Sequence, residues 1–110
     1  MGIELNDITI ILPTRNESRN IRKFLSSIPE NIRLIVVDAS EDTTADIVSA
    51  TRPDYTTVIR HPGTVTEARR TGADAAITEW LLFTDADIVF SGDYFINIAN
   101  LADYDQIYGP

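Results

Sequence analysis

The chain has no cysteine among its 110 residues. That excludes disulfides, thiolate metal sites and cysteine nucleophiles. A single histidine, His61, excludes a histidine cluster. Lysine is nearly missing as well, with Lys23 alone, and the formal net charge is −8. That balance argues against a nucleic-acid partner, whose capture depends on Lys and Arg neutralising phosphates. No apolar run approaches the ~20 residues of a spanning helix. The N-terminal MGIELND is acidic and lacks the basic start of a signal peptide. The expected location is therefore the cytoplasm, with membrane association only if a longer parent chain carries membrane helices. The few glycines build no phosphate loop: G-x-x-x-x-G-K and G-x-G-x-x-G are both missing, and so is the G-x-S-x-G elbow.

What is present is enough for a core. Hydrophobic residues make up 44% and charged residues 24% of the chain, which suits one domain spanning residues 1–110. Residues 8–12 (ITIIL) and 32–37 (IRLIVV) are continuous β-branched runs of the kind found in buried parallel strands. Between them Ile21, Phe24, Leu25 and Ile28 make one helical stripe, with Asn16 or Ser18 as its cap and Pro29 as its stop. Residues 39–51 read as a polar loop feeding a short helix capped by Asp42 or Thr43. A third strand is expected over 56–60 and a fourth over 79–84, with a helix over 63–78 between them. In that helix Val65, Ala68, Gly72 and Ala76 share a face of small residues, suited to close packing on a sheet. A further helix over 91–102 and a short strand over 105–109 complete the chain. Such alternation implies an α/β fold: a Rossmann-like open sheet of about five strands, mostly parallel, with helices on both faces. Its unpaired far edge predicts either a homodimer through that edge or an apolar face, or marginal stability.

In sheets of this kind, ligands bind outside the carboxyl ends of the strands. That rule selects Pro13 to Glu17, Asp38 to Asp42, the surroundings of His61 and Pro62, and Thr84 to Asp87. Asp85 and Asp87 would point to opposite sides of an extended segment, so they share a ligand only if the chain turns after Thr84. A hard divalent cation, Mg²⁺ or Mn²⁺, would relieve their repulsion and bring phosphate oxygens with it. Plain turn and cap roles are the alternative. Asp38 either receives a hydrogen bond from a base or ribose, or makes an Asx-turn with Ser40. One of Arg69 and Arg70 must lie near the small-residue face, where a guanidinium would meet a base carbonyl or a phosphate. Both could instead pair with Glu67 or Asp74. Thr66 and Glu67 read as surface residues.

Four segments in order, ILPTRNE, VVDASEDT, EARRTGADAA and WLLFTDAD, resemble the N-terminal half of a family 2 glycosyltransferase with the GT-A fold. The resemblance runs from about Ile8 to the end of the chain. It implies that Pro13, Thr14, Asn16 and Glu17 form the first nucleotide-contacting loop and that Asp38 contacts the base. It places Arg69 close to the nucleotide, on the A-R-x-x-G helix that includes Gly72. Asp85 and Asp87 match the D-x-D motif, which contacts ribose and holds Mn²⁺ or Mg²⁺ on the diphosphate. Three positions depart from the family pattern: Arg15 replaces a common aromatic, Ala39 a frequent acid, and Arg70 a common asparagine. The implied activity is sugar transfer from a nucleoside-diphosphate sugar, UDP-linked before GDP-linked, to an acceptor hydroxyl not yet identified. The family's acceptor-binding half and its base are expected beyond this stretch. No catalytic base is assigned, because Asp93, Asp103 and Asp105 stand in no matching context. The rivals are a non-catalytic nucleotide-sugar-binding or partner-binding module and, further behind, a sugar nucleotidyltransferase, which would want glycines in PTRNESR.

Overall fold

In the computed structural model, residues 4–98 and 107–108 are described. A 3-10 turn at Leu5–Asp7 leads into β1 (Ile8–Thr14), followed by α1 (Ile21–Ser26), β2 (Arg33–Asp38), α2 (Thr44–Thr51) and β3 (Thr56–Arg60). Then come α3 (Val65–Ala75), β4 (Trp80–Phe83), α4 (Tyr94–Ile98) and a two-residue β5 (Ile107–Tyr108). The strands lie side by side in the order β3-β2-β1-β4-β5. Every pairing is parallel.

Alternation along the strands divides the core into two layers, because successive side chains leave a strand on opposite faces. Ile8, Ile10, Leu12, Leu34, Val36 and Leu82 face one way, onto Phe24 and Leu25 of α1 and Val48 of α2. Ile11, Ile35 and Val37 face the other way, onto Ala68 of α3. Helices therefore cover both faces, as the β-α alternation requires. Phe90 and Phe95 extend the first layer, with Phe90 edge-on to Phe24 at 6.0 Å between ring centroids. That contact ties the segment after β4 to α1.

α3 owes its closeness to the sheet to Gly72. A Cβ there would lie 2.5 Å from Ile11 Cγ2, inside any real contact distance. Its start is fixed by a capping box: the Thr64 hydroxyl accepts from the Glu67 backbone N–H, and the Glu67 carboxylate accepts from the Thr64 backbone N–H. Glu67 is exposed, as expected, yet it has this structural task.

Several helix boundaries differ from expectation: α3 is shorter at both ends than the expected 63–78, α4 starts at Tyr94 rather than at 91, and both ends of α1 move. α1 begins at Ile21, with Asn20 rather than Asn16 or Ser18 at its cap position. Asn16 is engaged elsewhere: at φ 55° its backbone N–H donates to Ser40 Oγ and its side-chain carbonyl accepts from Glu41 N–H. The same helix stops before Pro29, because the Ser26 and Ser27 hydroxyls donate back to the carbonyls of Arg22, Lys23 and Phe24. α2 starts as expected, with Asp42 Oδ1 accepting from the backbone N–H and hydroxyl of Thr44. The expected continuation of α4 to residue 102 lies outside the described residues.

A site at the switch point of the sheet

β1 is the strand from which the chain winds in both directions, to β2 and β3 on one side and to β4 on the other. A crevice opens where such a reversal occurs, beyond the carboxyl ends of the two diverging strands. Here those ends are Thr14 and Phe83. A cleft of about 330 Å³ lies there. The loop after β1 lines it with Pro13, Thr14, Arg15 and Glu17. Val37 and Ala39 line it from β2, Gly63 to Val65 and Ala68 from the start of α3, and Asp85 to Asp87 from the loop after β4.

The two aspartates reach one cleft because the chain turns immediately after the strand. Asp85 C=O accepts from Ile88 N–H at 3.2 Å, closing a tight turn with Ala86 buried inside it and both carboxylates outside. The Asp85 side chain is 61% exposed, so water or a ligand reaches it freely. Arg69 stands at the cleft's margin on α3, with its guanidinium 3.8 Å from Asp85 Oδ1. At that distance and exposure the pair is a weak, screened attraction. Glu17 accepts from the Asn20 side chain at 3.2 Å. Arg15 lines the cleft with no hydrogen bond or ion pair among the described residues. Thr84, just before the turn, buries a hydroxyl that has no partner among the described residues.

Asp38 is placed differently from the other strand-end acids. Its side chain is fully buried. Oδ1 accepts from the hydroxyls of Thr14 and Ser40, each at 2.6 Å. Oδ2 accepts from Ser40 N–H at 3.3 Å and faces Arg60 at 3.1 Å. The Asx-turn with Ser40 is therefore formed, and the carboxylate's acceptor positions are all engaged. Asp38 stands behind the cleft wall, between Val37 and Ala39, and is not part of its lining. Arg60, which nothing in the sequence singled out, is the exposed member of this group, with 59% of its side chain accessible.

Among the described residues, no three His, Cys, Asp or Glu side chains gather closely enough to enclose a metal ion. The cleft does offer two exposed carboxylates on one turn. Oxygen donors of this kind suit Mg²⁺ or Mn²⁺, which keep open positions for phosphate and water. The donor set therefore fits a hard divalent ion held jointly with an anionic ligand, and does not fit a resident ion in an all-protein cage.

A larger groove, about 660 Å³, lies at the opposite end of the sheet, with Arg22, Leu25, Arg52 and Tyr55 in its walls. Its buried cation is already committed. Arg52 donates to the carbonyls of Pro29, Glu30 and Ile32, and to Thr56 Oγ1. Size alone does not make that groove the functional one. Glu30 and Asp54 also line it, but it sits at the amino ends of the strands, away from the carboxyl ends where ligands of such sheets bind.

A parallel sheet wound outward from β1, with an acidic cleft at the reversal, defines an open α/β domain with a candidate ligand site at its switch point. The family model described as "Glycosyl transferase family 2" matches residues 9–108, and the chain belongs to that family. It is similar to the SPbeta prophage-derived glycosyltransferase SunS of Bacillus subtilis (strain 168), with 33% identity over 107 residues. That match takes in 92% of this chain and 25% of SunS. Among solved structures it resembles S. aureus TarS 1-349, with a TM-score of 0.73 and 26% identity over 82% of this chain and 30% of that one. The structure of TarS 1-349 in complex with UDP aligns with a TM-score of 0.65 and 27% identity, over 73% of this chain and 27% of that one. The chain thus spans about a quarter of the length of the relatives it matches. No helix among the described residues is long and apolar enough to cross a membrane.

Proposed function

We propose that this domain binds the nucleoside-diphosphate sugar of a glycosyltransferase and presents the sugar for transfer to an acceptor hydroxyl. The observation that carries this reading is the turn after β4, which aims Asp85 and Asp87 into the cleft that Thr14, Arg15 and Glu17 share. Asp87, assisted by Asp85, would hold Mn²⁺ or Mg²⁺ against the diphosphate. When bound, that ion supplies Lewis acidity, neutralising charge on the departing diphosphate. Arg15 lies free on the cleft wall and offers a guanidinium to the same phosphates. The amino end of α3, capped at Thr64 and lining the cleft from Gly63 to Val65, adds the positive end of a helix dipole. Arg69 holds Asp85 from the side and limits its repulsion from Asp87.

The nucleoside would then run from the acidic turn toward Thr14, Val37 and Ala39. Pro13, Val37 and Ala39 give that end of the cleft an apolar wall suited to a planar base. UDP is the preferred nucleotide, since a related structure is described as a UDP complex. Asp85, Asp87 and Glu17 are each accounted for, and none of them is assigned as the base for the acceptor hydroxyl. Because the chain spans only a quarter of its relatives, a second reading is a donor-binding module that needs further chain for turnover.

Calorimetry with UDP, with and without Mn²⁺, tests the proposal. Binding that requires the metal and disappears in Asp87→Ala is the expected result. Metal-independent binding unaffected by that substitution would refute it.

A further inference from the structure

The loop after β1 is clipped to the loop after β2 through Asn16 and the two residues that follow it. The Asn16 backbone N–H donates to Ser40 Oγ at 2.8 Å, and its side-chain carbonyl accepts from the Glu41 backbone N–H at 2.9 Å. The next two backbone N–H groups turn the same way: Glu17 donates to Thr44 Oγ1 at 3.0 Å and Ser18 to Asp42 Oδ2 at 3.4 Å. Successive N–H groups of this kind form anion-binding concavities in other loops. Here the protein's own oxygens occupy all three, so a phosphate meets this loop through its side chains. Asn16 also has φ 55°, in the left-handed region that asparagine tolerates better than most residues. Its neighbours on both sides, Arg15 and Glu17, line the cleft, whereas Asn16 does not.

We propose that Asn16 is a positioning residue for the donor site: its left-handed backbone and its link to Glu41 set Arg15 on the cleft wall. This rests on the donor-site reading above, which gives Arg15 the diphosphate. Arg15 has no hydrogen bond or ion pair of its own among the described residues, so its direction is set by the backbone that carries it. An arginine that captures a phosphate gives up much rotamer freedom. A backbone already fixed beneath it keeps that cost from growing. Asn16→Gly isolates the side-chain link, because glycine adopts positive φ freely and removes only the carbonyl that holds Glu41.

The test is a double-mutant cycle on UDP binding to the full chain with Mn²⁺ present, read by calorimetry. Arg15→Ala should weaken UDP binding about tenfold, the scale of one charged hydrogen bond. Asn16→Gly should weaken it about fivefold, the scale of ordering one rotamer-rich side chain, and should melt within a few degrees of wild type. In the Arg15→Ala background, Asn16→Gly should cost less than about twofold, because the side chain it positions is gone. A merely structural Asn16 would cost the same affinity in both backgrounds, and that additivity would overturn the inference. Wild-type affinity in either single variant would overturn it too. If Asn16→Gly fails to fold, Asn16→Asp decides: it keeps an acceptor for the Glu41 N–H and tolerates the same backbone. Arg15→Ala should then cost Asn16→Asp as much as it costs wild type, and no cost there would overturn the inference. A wild-type chain that binds no UDP with Mn²⁺, or full affinity in Asp87→Ala, would bring down the donor-site reading first, and the inference with it.

Discussion

Gly72 of α3 lies against Ile11 of β1 so closely that a Cβ on the glycine would sit 2.5 Å from Ile11 Cγ2. The clash partner is a branched side chain in the middle of the sheet, fully buried and unable to swing away. Gly72→Ala gains about 1 kcal/mol of helix propensity but forces α3 off the sheet, at a cost of about 1–3 kcal/mol. The variant is expected to be less stable by about 1 kcal/mol, read as a lower urea midpoint. Because α3 also carries Arg69 and the capped end that lines the cleft, UDP affinity should fall with it.

Arg52 is the largest single knot at the opposite end of the sheet. Its guanidinium donates to three carbonyls in the loop between α1 and β2, and to Thr56 on β3. Burial pushes the guanidinium's pKa down, with Glu30 acting against that shift. Arg52→Ala strands those acceptors and is expected to cost about 3 kcal/mol in chemical denaturation. Nucleotide affinity in the remaining folded fraction should be unchanged, since the cleft lies at the other end.

Thr84 has the reverse character. Its hydroxyl is buried with no partner among the described residues, and a lone buried hydroxyl is unfavourable. Thr84→Val keeps the shape and removes the polar atom. The expected gain is about 1 kcal/mol, seen as a higher melting temperature. A loss of stability would mean that the hydroxyl has a partner after all.

Two carboxylates at helix starts contribute to the acid dependence of stability. Hydrogen bonds from the Thr64 backbone and side chain hold Glu67 below its ordinary 4.5. Those from Thr44 and Ser18 hold Asp42 below 3.8, with the Thr44 side chain the largest cause. Both pKa values are lower in the folded chain. Their stabilising contribution is therefore complete above these ordinary values and is lost as pH falls through the folded ones. Glu67→Gln should lower the neutral plateau slightly and flatten the decline in stability below pH 4.5, so that the two proteins converge in acid, as followed by circular dichroism.

Local signals in the sequence were enough for much of this structure. The β-branched runs gave the strands, with β3 matching its expected span of 56–60. The rule about strand ends brought Pro13, Thr14, Glu17, Asp85 and Asp87 to one place. What stayed hidden depends on partners distant in sequence. Local spacing suits Asn16 to a helix cap, but its partners Ser40 and Glu41 lie on the next loop. Arg52 and Arg60 had no local signature, because their partners become neighbours only once the strands are in register. The same register buries Asp38 behind Thr14, which no spacing rule announces. The T-x-x-E of Thr64 and Glu67 is the exception: its capping box is a local pattern legible in the sequence.

The most direct test is to map where UDP binds. Backbone amide chemical shifts, recorded as UDP and Mg²⁺ are added together, should move at residues 14–17, at Ala39, and at residues 63–65 and 85–87 around the cleft. The groove near Arg22 and Tyr55 should stay silent. Shifts confined to that groove, or none anywhere at saturating UDP and Mg²⁺, would contradict the assignment of the acidic turn as the donor site.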